Sequence, residues 1–120
     1  CIGGGIHTHG KKPDFQEFLI IPKSKRFFDN VFLMQKAWKI LGEDLRLMRA
    51  ATGKNDENAF STNLSNEEVL ELINRVKREL ENQAGTAIEI GVDFASSVFF
   101  TGMVYNYKNK VKEKLREDGA

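Results

Sequence analysis

A chain of 120 residues, 41 % hydrophobic and 29 % charged, has the size and balance of a single globular domain with its own core. Its 18 Lys and Arg nearly cancel its 17 Asp and Glu, which leaves no global field arguing for a nucleic-acid partner or an anionic membrane. The one cysteine, Cys1, excludes an internal disulfide and fits a reducing compartment; no apolar run approaches the roughly 20 residues that cross a bilayer, and no signal peptide precedes the first strand.

The chain opens without an initiator Met, inside what reads as the end of a strand, which points to a piece of something longer. The stretch GGGIHTHGKKPDFQEF, residues 3–18, organises the rest of the chain. Three consecutive glycines, Gly3 to Gly5, permit close backbone approaches and positive φ. His7 comes directly after them, and Pro13 with Asp14 marks a turn. A β-like run then covers Phe15 to Ile21. Read as a hairpin, this places His7 at the end of one strand and Glu17 at the start of the next. Both then sit at one edge of a sheet, near enough to share a ligand.

Beyond Pro22, the residues Phe27, Val31, Met34, Trp38, Leu41, Leu45 and Met48 recur at spacings of four and three, the apolar face of a long helix that Gly42 could break in two. On this reading Trp38 and the methionines are packing residues. Ala50 to Asn63 is polar and aperiodic, a loop whose Asp56-Glu57 pair is its one feature able to carry chemistry. Ser65-Asn66-Glu67-Glu68 is a capping box that starts a second helix, with Val69, Leu72, Ile73, Val76 and Leu80 on its apolar face and Gly85 as its stop. Ile88, Ile90, Val92 and Phe94 alternate with Glu89, Gly91 and Asp93, which is a strand. Asp93 lies near its C-terminal end, where α/β sheets hold their ligands. Residues 102–107 read as a turn with a short extended piece, and residues 108–118 as an exposed, charged helix with Val111 and Leu115 as its apolar pair.

Four groups thus fall at strand ends or in the polar loop: His7, Glu17, Glu57 and Asp93. Carboxylates are the ligands a hard ion such as Mg²⁺ selects, and neighbouring acids can have their pKa values driven apart for acid–base work. Each residue alone has a plainer reading: a hydrogen-bonded turn histidine, a surface glutamate, a solvated loop pair, an aspartate capping the structure after its strand. His9, beside Lys11 and Lys12, reads as part of an exposed loop.

Together these segments resemble enolase, the phosphopyruvate hydratase of glycolysis. Gly4-Gly5-Ile6-His7 resembles the family's GG-x-H at the end of the first barrel strand, and Gln16-Glu17-Phe18 running into Leu19-Ile20-Ile21-Pro22 resembles its second strand. Asp56-Glu57 resembles the acid pair of the G-D-E-G-G loop, and Ser65-Asn66-Glu67-Glu68 matches the start of the helix after it. Val92-Asp93-Phe94-Ala95-Ser96-Ser97, continuing to Phe99-Phe100, resembles the family's metal-ligand strand. The order and spacing hold from Gly3 to Tyr105.

The resemblance implies an α/β fold: a partial, unclosed (β/α)8 barrel that begins with an antiparallel strand pair, ββαα and then βα, and occupies residues 1–120. It implies that His7 contacts the substrate phosphate and that Gln16 and Glu17 bind substrate. Glu17 also joins the acid network, Glu57 serves in proton donation to the departing hydroxyl, and Asp93 is one carboxylate ligand of Mg²⁺. The implied reaction is reversible dehydration of 2-phosphoglycerate to phosphoenolpyruvate in a cytoplasmic, homodimeric parent protein that neither spans a membrane nor binds nucleic acid. Asn58 and Ala59 depart from the family's two glycines, Lys54-Asn55 from the approach to the acid pair, and Thr8-His9 from the small residues after the histidine.

A complete barrel of this kind takes about 250 residues. The family's N-terminal domain, the other two metal carboxylates, the base lysine and the phosphate-binding groups have no counterpart here. The chain therefore reads as a fragment or truncated homologue, inactive alone. The alternative is a non-catalytic remnant acting as a binding or structural module, and a third reading is another lyase or racemase of the superfamily.

Overall fold

The computed structural model describes residues 1–5 and 12–96. The elements run β1 (Ile2–Gly3), β2 (Glu17–Pro22), α1 (Phe27–Leu47), β3 (Ala51–Lys54), β4 (Phe60–Thr62), α2 (Asn66–Ala84) and β5 (Ile88–Asp93). They form an α/β structure with one open five-stranded sheet ordered β3-β4-β1-β2-β5. β2 runs antiparallel to both β1 and β5, while β1 and β4 are parallel. The expected opening antiparallel pair is therefore present. His7, His9 and everything expected of residues 97–120 lie outside the described residues.

Strand periodicity divides the sheet into two faces. Ile2, Phe18 and Ile88 are buried, and with Ile20, Ile90 and Val92 they point to the side covered by the helices. Glu17, Leu19, Ile21, Glu89, Gly91 and Asp93 occupy the other side, where Leu19 and Ile21 are exposed. Ala37, Leu41 and Leu45 of α1 and Val69, Leu72, Ile73, Val76 and Leu80 of α2 complete the core.

α2 matches the sequence reading closely. Ser65 accepts from the Glu68 amide, Glu68 returns the bond to the Ser65 amide, and Gly85 ends the helix in the left-handed region at φ 65°. All five expected apolar residues are buried. Past the helix end, Glu81 Oε2 accepts from the Ile88 amide at 2.9 Å and so holds the start of β5. That bond lowers the Glu81 pKa; burial opposes it, and Lys77 at 3.4 Å adds to the lowering.

α1 keeps Leu41 and Leu45 of its expected face in the core and departs from the rest. The residues it buries are Leu33, Ala37, Leu41 and Leu45, spaced by four, whereas Phe27, Met34, Trp38 and Met48 are exposed. The sequence reading weighted large side chains, and the helix instead turns the small Ala37 inward. Trp38 is not a core residue. It stacks on Phe60 of β4 with ring centroids 4.8 Å apart, and the Lys54 ammonium lies 4.5 Å above its ring. Gly42 does not break the helix, because the Phe60 ring seats against its bare Cα: a Cβ there would lie 2.6 Å from the ring. No side chain caps the start of α1; Asn30 instead exchanges two hydrogen bonds with the Ser24 backbone, at 2.9 and 3.0 Å.

The segment 50–63, expected as a loop, is a β-hairpin. Its turn is built by asparagines. The Asn58 amide donates to Asn55 O, the Asn55 amide donates to Ala59 O, and Asn58 takes φ 63°. This is a three-residue connection with a left-handed third residue, which asparagine tolerates. Asn55 Oδ1 accepts from the amides of both Glu57 and Ala59, each at 3.0 Å. The replacement of family glycines after the acid pair is absorbed here: Asn58 carries the positive φ, and Ala59, buried at 5 %, does not need one.

Candidate active site

An antiparallel β2 has a direct consequence for the site. Its first residue lies at the same rim as the last residues of β1 and β5. The register pairs Glu17 with Gly3 on one side and with Asp93 on the other. Gln16 Nε2 donates to Asp93 Oδ2 at 3.2 Å, the Gln16 amide donates to Asp93 O at 2.9 Å, and Asp93 Oδ1 accepts from the Ala95 amide at 3.1 Å. Gln16, Glu17 and Asp93 are thus gathered at one rim although 77 positions separate the first from the last.

The approach to this rim is tightly packed. The Gly4 amide donates to Gln16 O and the Gly5 amide to Pro13 O, both at 3.0 Å. A Cβ on Gly4 would lie 2.5 Å from the carbonyl oxygens of both Pro13 and Phe15, so the crossing of the two backbones requires glycine there. The Cys1 nitrogen donates to Phe18 O at 2.9 Å, which extends the pairing of β1 with β2 by one residue. Glu57 sits exposed in the turn of the β3–β4 hairpin. The base of that turn reaches the same rim, since the Asn55 side chain packs against Gly3, the partner of Glu17.

Two acids directly opposite on an antiparallel pair repel each other unless a donor or a cation intervenes. Gln16 supplies a donor to Asp93. Oxygen donors of this kind suit a hard cation. Among the described residues, however, no three His, Cys, Asp or Glu side chains gather closely enough to hold a metal ion. Asp93 fits as one member of such a set.

The sequence reading names Asn55, Asn58 and Asn66 but not the bonds they make: Asn55 and Asn58 shape the Glu57 turn, and Asn66 holds the turn before β2. Asn66 is 1 % exposed, and its Oδ1 accepts from the amides of Asp14 at 2.8 Å and Phe15 at 3.4 Å. A signal existed for it. Asn66 falls three and seven positions before Val69 and Ile73, on the buried stripe of α2, where a polar side chain needs a partner.

An open α/β sheet with helices over one face and acids collected at one rim defines a portion of an α/β barrel. The family model for the enolase C-terminal TIM barrel domain matches residues 1–119, and the chain belongs to that family. It is 34 % identical over 119 residues to an enolase of Pyrobaculum aerophilum, a match that covers 94 % of this chain and 28 % of that protein. An enolase of Picrophilus torridus is 31 % identical over 119 residues, 98 % of this chain and 29 % of the relative. An enolase of Anaplasma marginale is 32 % identical over 111 residues, 91 % and 26 % respectively. The chain thus spans little more than a quarter of the length of the curated relatives it matches.

Proposed function

We propose that residues 1–120 are the first part of an enolase barrel, and that the protein carrying them dehydrates 2-phosphoglycerate reversibly to phosphoenolpyruvate with Mg²⁺. The observation that supports this best is the pairing of Glu17 with Asp93 at one rim, with Gln16 bonded to Asp93, in a chain matched to the enolase barrel over residues 1–119. The relatives from Pyrobaculum and Picrophilus are themselves named enolases.

In this reading Asp93 is one oxygen ligand of Mg²⁺, and the remaining ligands come from segments beyond these residues. Mg²⁺ held there would supply electrostatic stabilisation of negative charge developing on the substrate. Gln16 and Glu17 hold the substrate at the rim, with Glu17 part of the acid network around the reacting carbon. His7 meets the phosphate. Glu57 gives its proton to the departing hydroxyl. The substrate is a small anionic acid, and the whole protein is a cytoplasmic homodimer. No described helix is long and apolar enough to cross a membrane.

The test uses the complete gene product that contains these residues, assayed by phosphoenolpyruvate absorbance. Glu57→Gln is expected to lower kcat by about 10² to 10⁴, the usual contribution of a positioned acid, with little change in Mg²⁺ dependence. Asp93→Asn is expected to raise the Mg²⁺ concentration needed for half-maximal rate. The 120-residue chain alone is expected to give no turnover. Full activity in both variants, or hydratase activity in the isolated chain, would reject the assignment.

A further inference from the structure

A fully buried asparagine at the start of a helix is costly unless its amide is used. Asn66 uses both ends. Its Oδ1 takes the Asp14 and Phe15 amides, and its Nδ2 donates to Asp14 Oδ2 at 3.4 Å. These partners stand 52 and 51 residues away in sequence, in the turn that ends at Gln16. Directly after them come the two residues whose placement at the rim matters, Gln16 and Glu17. At the other end of the same helix, Glu81 grips the first residue of β5, the strand that ends at Asp93.

Helix α2 is therefore bonded at one end, through Asn66, to the turn that leads into β2 and at the other, through Glu81, to the first residue of β5. The 19 residues of a straight helix measure about 28 Å at roughly 1.5 Å per residue, while six-residue strands measure about 20 Å. A rigid strut of that length, bonded at one end to the turn before β2 and at the other to β5, opposes sliding of one strand past the other. A slip of one residue would carry Glu17 away from Asp93 and turn it to the helix-covered side.

We propose that Asn66 is a positioning residue of the rim: through the Asp14-Phe15 turn it sets Gln16, and with it the Gln16–Asp93 bond and the Glu17–Asp93 register. Its catalytic consequence rests on the enolase reading; its structural consequence does not.

The experiment compares amide hydrogen exchange by NMR in the complete gene product that contains these residues. Asn66→Ala is expected to speed exchange at Gln16, whose amide bonds Asp93 and not Asn66, by about tenfold or more beyond any change at Leu41 and Val76, which lie buried inside helices and report the global opening. The Gln16 side-chain amide resonance is expected to move toward its solvent position. Should Asn66→Ala fail to fold, Asn66→Asp serves, since an acid suits a helix N-terminus. It faces two carboxylates toward each other and is expected to loosen Gln16; adding Asp14→Asn restores a donor between them and is expected to recover the protection. Gln16 exchange that merely tracks Leu41 and Val76 overturns the proposal, as does absence of rescue in the double variant.

A second arm reads kcat in the complete gene product. A fall on Asn66→Ala, recovered in the Asn66→Asp, Asp14→Asn pair, supports the role in turnover. Lost protection with unchanged kcat overturns that role. A wild-type product without hydratase activity sinks the functional reading, while the exchange data still decide whether Asn66 holds the rim.

Discussion

Truncating neighbouring residues on β2 measures which face of the sheet is covered and by what. Phe18 and Leu19 are adjacent, and the strand sends them to opposite sides. Phe18 is 0 % exposed, with the Phe15 ring 6.0 Å away, between Ile2 of β1 and Val92 of β5 in the register. Leu19 is 37 % exposed on the open face. Phe18→Ala removes a fully buried ring and leaves a cavity among residues fixed by two strands and two helices, so a loss of about 3–5 kcal/mol is expected. Leu19→Ala leaves no enclosed cavity and forfeits only part of a side-chain transfer term, about 1 kcal/mol.

Urea unfolding monitored by circular dichroism separates these values. With a slope of about 2 kcal/mol per molar, Phe18→Ala lowers the midpoint by roughly 2 M and Leu19→Ala by about 0.5 M. For a domain whose total stability is about 5–15 kcal/mol, the first change leaves little in reserve. The same pair in the complete gene product gives a different answer if residues 1–120 are part of a closed barrel. There the open face becomes barrel interior, and Leu19→Ala rises to about 2–5 kcal/mol, comparable with Phe18→Ala. Equal costs for the two variants in the 120-residue chain would refute the assignment of faces. A cost near the ~1 kcal/mol of a partly exposed leucine for Leu19→Ala in the complete product would refute the barrel.

Two further outcomes come from local structure. Asn58→Gly keeps the left-handed turn and is expected to stay within about 0.5 kcal/mol of the parent, whereas Asn58→Ala is expected to cost about 1–2 kcal/mol at φ 63°, both read from urea midpoints. The Glu81 pKa is lowered in the fold, first by the Ile88 amide, so its contribution is fully present above the ordinary carboxylate range and disappears as pH falls through the lowered folded value. Melting temperature is therefore expected to fall more steeply below about pH 4.5 in the parent than in Glu81→Gln, and parallel curves would rule the linkage out.

The elements that could be read from sequence are those whose signals are local. The Ser65–Glu68 capping box, the buried stripe of α2, the Gly85 stop and the alternation of β5 each depend on a few adjacent residues, and the structure contains them as expected. The buried face of α1 is legible only at Leu41 and Leu45, because the rest depends on a partner remote in sequence: the Phe60 ring meets Trp38 and Gly42, and Leu33 and Ala37 turn to the core. The hairpin itself was hidden because its turn uses asparagines where the familiar signal is glycine, and because its short strands carry little periodicity. In the candidate site, Glu17 and Asp93 were legible as residues at strand ends. The bonds that hold Gln16 to Asp93 and Asn66 to Asp14 were not, since 77 and 52 residues separate their partners.

The reversed strand β2, between β1 and β5, explains why such distant residues can meet. In an all-parallel sheet, side chains reach the same rim only from the C-terminal ends of strands, each separated from the next by a full crossover. Reversing β2 lets its entry join the exits of β1 and β5, so a turn near the start of the chain and a strand some seventy residues later deliver acids to one edge. The arrangement also brings Glu17 and Asp93 opposite each other, which a sheet resists without compensation. The Gln16 amide on Asp93 supplies one compensation, and a rim completed by a hard cation would supply a stronger one. Register is then what the chain must protect, because a shift of one residue removes the acids from each other and exchanges the two faces of β2. A buried asparagine at one end of α2 and a bonded glutamate at the other resist that shift through hydrogen bonds rather than apolar packing, whose weak directionality would tolerate a slide.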